Sequence, residues 1–209
     1  PSKIKMIYIS TGGFSRLTAL ETVKKFLELD MRAIELSGGL YDQSQIRDLK
    51  NLSKDLKFQV HNYFPPPSIP FVFNLASLDK EISQRSYNHA LNSMEVSASL
   101  GGTCYSFHAG FLLDLKVAEL GKKVKKRKLN DRKESFSMFI DNVIKLSEKA
   151  EKLGLTILLE NNVLSKSNFN EFEGNSLLMV DSEECVDIMK LTPNNVQLLI
   201  DVAHLKVSS

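Results

Sequence analysis

The stretch GLTILLENN (Gly154–Asn162) decides the fold. A glycine able to end a helix is followed by a short run of apolar and β-branched residues, Thr156 to Leu159. A carboxylate and two amides, Glu160, Asn161 and Asn162, come directly after it. Four such residues between a helix stop and a cluster of polar side chains read as a buried strand whose end carries chemistry.

Moving outward, the same grammar recurs. Upstream, residues 134–153 have helical spacing, and before them Thr103 to Phe107 forms another apolar run behind the helix-ending pair Gly101 and Gly102. Earlier runs are Ile4 to Ser10, Ala33 to Leu36 and Phe58 to Tyr63. Helices are expected over Leu17 to Leu29, Ser44 to Leu52 and from an Asp79 cap to Leu100. The prolines of PPPSIP (Pro65–Pro70) force a loop after the third run. Downstream, Asn161 to Asn175 reads as a polar loop, Asp181 or Ser182 caps a helix through Lys190, and Val196 to Ile200 is a sixth strand. Alternating strands and helices define an α/β protein with parallel βαβ units. Periodicity alone does not separate a barrel from an open doubly wound sheet.

The ionisable residues make that separation. Glu35, His61, His108, Glu160 and Asp201 fall at or near the ends of strands two to six, and His204 follows Asp201 by three positions. In a (β/α)8 TIM barrel the C-terminal strand ends converge on one rim, so residues distant in sequence become neighbours. Carboxylates gathered there call for a cation among them. Imidazole and carboxylate donors suit zinc or manganese best, with iron, cobalt or magnesium as further choices. Glu35 is equally suited to a helix cap or a salt bridge. His89, inside the third helix, is expected to pack or to lie at the surface.

The segments VHNY (Val60–Tyr63), FNLAS (Phe73–Ser77), FHAG (Phe107–Gly110), LLENN (Leu158–Asn162) and IDVAHLKVS (Ile200–Ser208), taken in order, resemble the xylose-isomerase-like barrel superfamily. Its members include sugar isomerases and epimerases together with endonuclease IV. For the sugar-acting branch the resemblance implies Glu160 and Asp201 as metal ligands and His204 as a substrate contact. For the nuclease branch it implies His61, His108 and Glu160 around one zinc. The NNVLSKSN segment after Glu160 departs from the Ala-Gly-rich stretch of the nucleases. The expected function is therefore a metal-dependent sugar or sugar-phosphate isomerase or epimerase. Glu160 would be base or ligand, His204 would stabilise charge, and Glu35 and Asn162 would join the substrate-binding set. An endonuclease acting at abasic DNA sites is the alternative, with the basic run Lys122 to Lys133 as its backbone contact. A non-catalytic binding protein on the same fold is a third reading.

The sequence has 209 residues, a length that fits one domain over 1–209. Six strand-helix units leave an eight-stranded barrel short at the C-terminus, which predicts a truncated product or a homodimer covering the free edges. A net charge of +2 gives no global field for nucleic acid or anionic membrane. Two cysteines without Cys-x-x-Cys spacing, no leader pattern and no long apolar window predict a cytoplasmic protein outside the membrane.

Overall fold

The computed structural model describes residues 6–14 and 16–208. Six strands, β1 (Ile9–Ser10), β2 (Ala33–Leu36), β3 (Lys57–His61), β4 (Cys104–His108), β5 (Thr156–Glu160) and β6 (Val196–Leu199), form one sheet in the order β1-β2-β3-β4-β5-β6. Every neighbouring pair is parallel. Consecutive order without a reversal is the barrel pattern, so the fold expected from the strand-end residues holds. Ile4 and Lys5, expected to begin the first strand, lie outside the described residues.

The helices between them are α1 (Ala19–Glu28), α2 (Gln45–Leu52), α3 (Lys80–Ser99), α4 (Arg132–Lys152), α5 (Lys166–Phe172), α6 (Ser182–Leu191) and α7 (Val202–Ser208). Their starts follow local chemistry. Thr18 and Glu21 make a reciprocal capping box at α1, and Asp79, Asp131 and Asp181 accept first-turn amides at α3, α4 and α6. Past α4, Gly154 adopts φ +69°, a conformation that side chains disfavour, and the chain turns into β5. Helices α5 and α7 were not expected: α5 lies in the predicted polar loop, and α7 follows the sixth strand. No described helix is long and apolar enough to cross a membrane.

The pleat sorts side chains to two faces. Ile34, Leu36, Phe58, Val60, Tyr105, Phe107, Ile157 and Leu159 are buried in one core with Val23, Phe26, Met94, Phe139 and Val143 from the helices. The other face carries Glu35 beside Gln59, His61 beside Ser106, and His108 beside Glu160 in register. Hydrophobic burial on the outer side thus fixes where the polar face points. Cys104 and Cys185 are buried and unpaired.

Two long excursions cross the strand ends. The one after β4 (residues 109–131) and the one after β5 (161–181) meet through an antiparallel bridge between Phe111 and Leu177. Leu112 N–H donates to Ser176 O at 2.9 Å, and Leu178 N–H to Gly110 O at 3.0 Å. Arg132 holds Glu184 at 2.8 Å and also donates to the carbonyls of Asn175 and Leu177. Glu184 in turn accepts from Met179 N–H at 2.7 Å. Much of the basic run serves this packing: Lys123 pairs with Glu171, Lys126 with Glu173 and Arg127 with Glu119.

Candidate metal centre

The centre grows from the ends of β3 to β6. His61, His108 and Glu160 are the last residues of β3, β4 and β5, and Asp201 and His204 straddle the start of α7. Glu160 is buried, with only 5% of its surface exposed. Around its carboxylate stand His61 Nε2 at 3.5 Å, His108 Nδ1 at 3.7 Å and His204 Nδ1 at 3.5 Å. His204 Nε2 is 3.2 Å from Asp201 Oδ2. The rings of His108 and His204 lie 5.3 Å apart, as do those of His61 and His108.

Neighbouring groups fix His61, His204 and Asp201. Ser106 Oγ sits 2.9 Å from His61 Nδ1, so that nitrogen is engaged and Nε2 is left toward Glu160. His204 Nδ1 lies 2.7 Å from Asn161 O, a carbonyl that can only accept, which places the proton on Nδ1. Its Nε2 lone pair then faces a carboxylate oxygen. Asp201 Oδ1 accepts from Ala203 N–H at 2.7 Å and His204 N–H at 3.2 Å, capping α7 and leaving Oδ2 for the centre. Asn161 completes the clamp by accepting from Asp201 N–H at 2.7 Å.

Electrostatics agree with the geometry. Burial, then the neighbouring Asp201 charge, pushes the Glu160 carboxyl up to about 8. Burial, then the other imidazoles, holds His61 down at about 4 and His108 at about 3, so both rings are neutral donors near pH 7. Burial also raises Asp201, but the amide donors of His204 and Ala203 outweigh it and keep that carboxyl below its ordinary value.

These residues fit a divalent cation. His108 Nδ1 is buried without a hydrogen-bond partner, and a buried lone pair with nothing to accept is costly. Two donors on a tetrahedral zinc at roughly 2.1 Å stand about 3.4 Å apart, close to the separations around Glu160. Among the described residues two donor groups emerge, His61 with His108 and Glu160, and Glu160 with Asp201 and His204. The atoms within each lie inside 4.8 Å of one another.

The other expected site residues, Glu35 and Asn162, stand near these groups but belong to neither. Glu35 is in neither group: it faces the barrel interior, bonded by the Ser10 side chain, with burial raising its carboxyl. Asn162 lines the cavity above the centre, but its amide donates to Ala109 O at 2.8 Å and Leu178 O at 2.9 Å. His89 is a packing residue, ringed by Tyr63, Phe71 and Phe73. Ser106 and Asn161 escaped the sequence reading. The signal for Ser106 was its place two residues before His108, hence on the same strand face.

Fold and site together define a (β/α)-barrel chain with a carboxylate-imidazole cluster at the rim. The xylose isomerase-like TIM barrel profile matches residues 23–208, and the chain belongs to that family. No curated protein matches its sequence. Among solved structures it is similar to a D-tagatose 3-epimerase-like protein, with 18% identity, TM-score 0.67 and coverage of 95% of this chain and 66% of the other. D-psicose 3-epimerase from Clostridium cellulolyticum H10 gives 18% identity, TM-score 0.66, and 95% and 64% coverage. 3-keto-D-glucoside 4-epimerase from E. coli gives 14% identity, TM-score 0.66, and 97% and 71% coverage. Identities this low establish the fold, and the chain spans about two thirds of the length of these structures.

Proposed function

We propose that this chain carries the cation-binding cluster of a sugar or sugar-phosphate isomerase or epimerase. The observation that carries the reading is the buried Glu160 carboxylate, set at a barrel rim between three imidazoles and beside Asp201. The fold shared with D-psicose 3-epimerase and 3-keto-D-glucoside 4-epimerase supports that substrate class.

Glu160 and Asp201 would hold the cation, with His61 and His108 as further donors. The mixed nitrogen and oxygen set favours zinc or manganese over magnesium. When bound, the cation supplies Lewis acidity, polarising a carbonyl and its neighbouring hydroxyl and easing loss of the adjacent carbon-bound proton. Glu160 is placed to take that proton and return it. His204, its Nδ1–H held by Asn161 O, presents the Nε2 lone pair as an acceptor for a substrate hydroxyl proton or as a further donor to the cation.

The test is deuterium wash-in. The protein loaded with Mn2+ or Zn2+ is incubated in D2O with ketoses, aldoses and their phosphates, and exchange beside the carbonyl is read by NMR. Exchange that disappears in Glu160→Gln is expected. Absence of exchange across the panel refutes the reading.

The paired donors His61 and His108 favour one second reading, metal-dependent incision at abasic sites. Against it, Lys123, Lys126 and Arg127 of the basic run are already neutralised by acidic partners. Incision of an abasic duplex by the loaded protein would establish it over the first.

A further inference from the structure

A cavity of about 850 Å3 opens over the cluster, and its walls differ from its floor. His108, His204 and Asn162 form the polar end. Further lining comes from the two interlocked excursions and from the segment after β3. There Phe71, Val117, Leu120, Val163 and Phe172 line the space, with Glu119, Lys122, Ser165 and Asn168 interspersed among them. Val117 is 46% exposed, Leu120 47% and Val163 36%.

A free monosaccharide carries hydroxyls around its whole circumference, and each hydroxyl removed from water needs a hydrogen-bond partner. Leu120, Val163 and Phe172 supply none, so partners on that side are limited to scattered groups such as Lys122, Ser165 and Asn168. Apolar side chains held open to solvent around one cavity gain most from a ligand that covers them.

We propose that the substrate is a sugar conjugate bearing an apolar group, aromatic or aliphatic. Its sugar end meets the His108–His204 floor, and its apolar end lies against Leu120, Val163 and Phe172. This rests on the isomerase or epimerase reading and narrows its substrate class. Fixing the apolar end would orient the sugar over Glu160, so contact energy remote from the reacting carbon would serve positioning.

The experiment compares Mn2+-loaded protein acting on 3-keto-glucose with its action on the 3-keto forms of phenyl glucoside and octyl glucoside, and on free ketohexoses. Deuterium exchange is read for each, and binding is followed by ligand-observed NMR. The conjugates are expected to be favoured by at least about tenfold in kcat/KM, the worth of covering a phenyl-sized apolar group. Leu120→Ser and Val163→Ser should each narrow that ratio, while Val186→Ser, an exposed apolar position on α6, should not. Free sugars exchanging as well as conjugates, with the ratio unmoved by Leu120→Ser, would overturn the proposal and leave the isomerase or epimerase reading standing. No exchange with any sugar, even where conjugates bind, would overturn the catalytic reading itself.

Discussion

Replacing Asn162 tests how the site is held. Its amide nitrogen donates to Ala109 O at 2.8 Å and Leu178 O at 2.9 Å, with a weaker approach of 3.4 Å to Gly110 O. Gly110 O also accepts from Leu178 N–H, so the first two carbonyls are the ones that suffer. Asn162 is 4% exposed, Ala109 1% and Leu178 0%, so water is not at hand to replace the lost donor. Leaving a buried acceptor unsatisfied costs roughly 1–3 kcal/mol. Two acceptors, with partial relaxation, give about 2–4 kcal/mol for Asn162→Ala. Asn162→Asp should cost at least as much despite its nearly identical shape, because it sets a carboxylate against two carbonyls. Urea unfolding of parent and both variants measures this, read from the midpoint at constant slope. Hydrogen exchange should show residues 176–179 opening first. If Asn162→Asp unfolds within about 0.5 kcal/mol of the parent, the packing rather than the hydrogen bonds holds this junction, and the reasoning fails.

Three further outcomes are expected. A Cβ at Gly110 would stand 2.1 Å from Ala76 Cβ and 2.9 Å from Asn74 Oδ1, so Gly110→Ala should lower thermal stability by about 1–3 kcal/mol, and adding Ala76→Gly should restore part of it. Burial holds His89 at about 4 against an ordinary 6.5, so protonation favours the unfolded chain. Stability should be present above about pH 6.5 and fall toward pH 4 by on the order of 3 kcal/mol from this group, and His89→Phe should flatten that slope in urea titrations; an unchanged slope would acquit the residue. Ser106→Ala frees the His61 ring, and calorimetry should show zinc affinity falling by roughly 10- to 100-fold while the unfolding midpoint barely moves.

The strand-helix order was legible because each strand is a short apolar run and most helices carry a cap or a glycine stop. Ala33–Leu36 matches β2, and Asp79 caps α3 as its side chain suggested. Glu160 and Asp201 were legible for a related reason: each carboxylate follows three apolar residues, which marks where a buried strand surfaces, whereas Gln59 and Ser106 interrupt the runs before His61 and His108. What escaped lies where burial gives no pattern. Helix α5 has no buried residues and hence no apolar stripe, and Ser165 accepting from Asn168 N–H was the only local sign of it. Helix α7 hid behind Asp201, which both caps the helix and faces the cluster, two roles that sequence presents as alternatives. The role of Asn162 was equally hidden, since its partners come from segments distant in the chain.

The excursion between Asn162 and Asn175 begins and ends on anchored ground: the Asn162 carboxamide at one end, the Arg132 guanidinium at the other. Between those moorings the stretch leans on the neighbouring excursion, through Glu171 with Lys123, Glu173 with Lys126 and Asn168 with the Val124 amide, and makes none of these contacts with the strand that carries Glu160. Side chains of this stretch that face the cavity, such as Val163 and Phe172, can therefore be exchanged while the anchors that bound it stay in place.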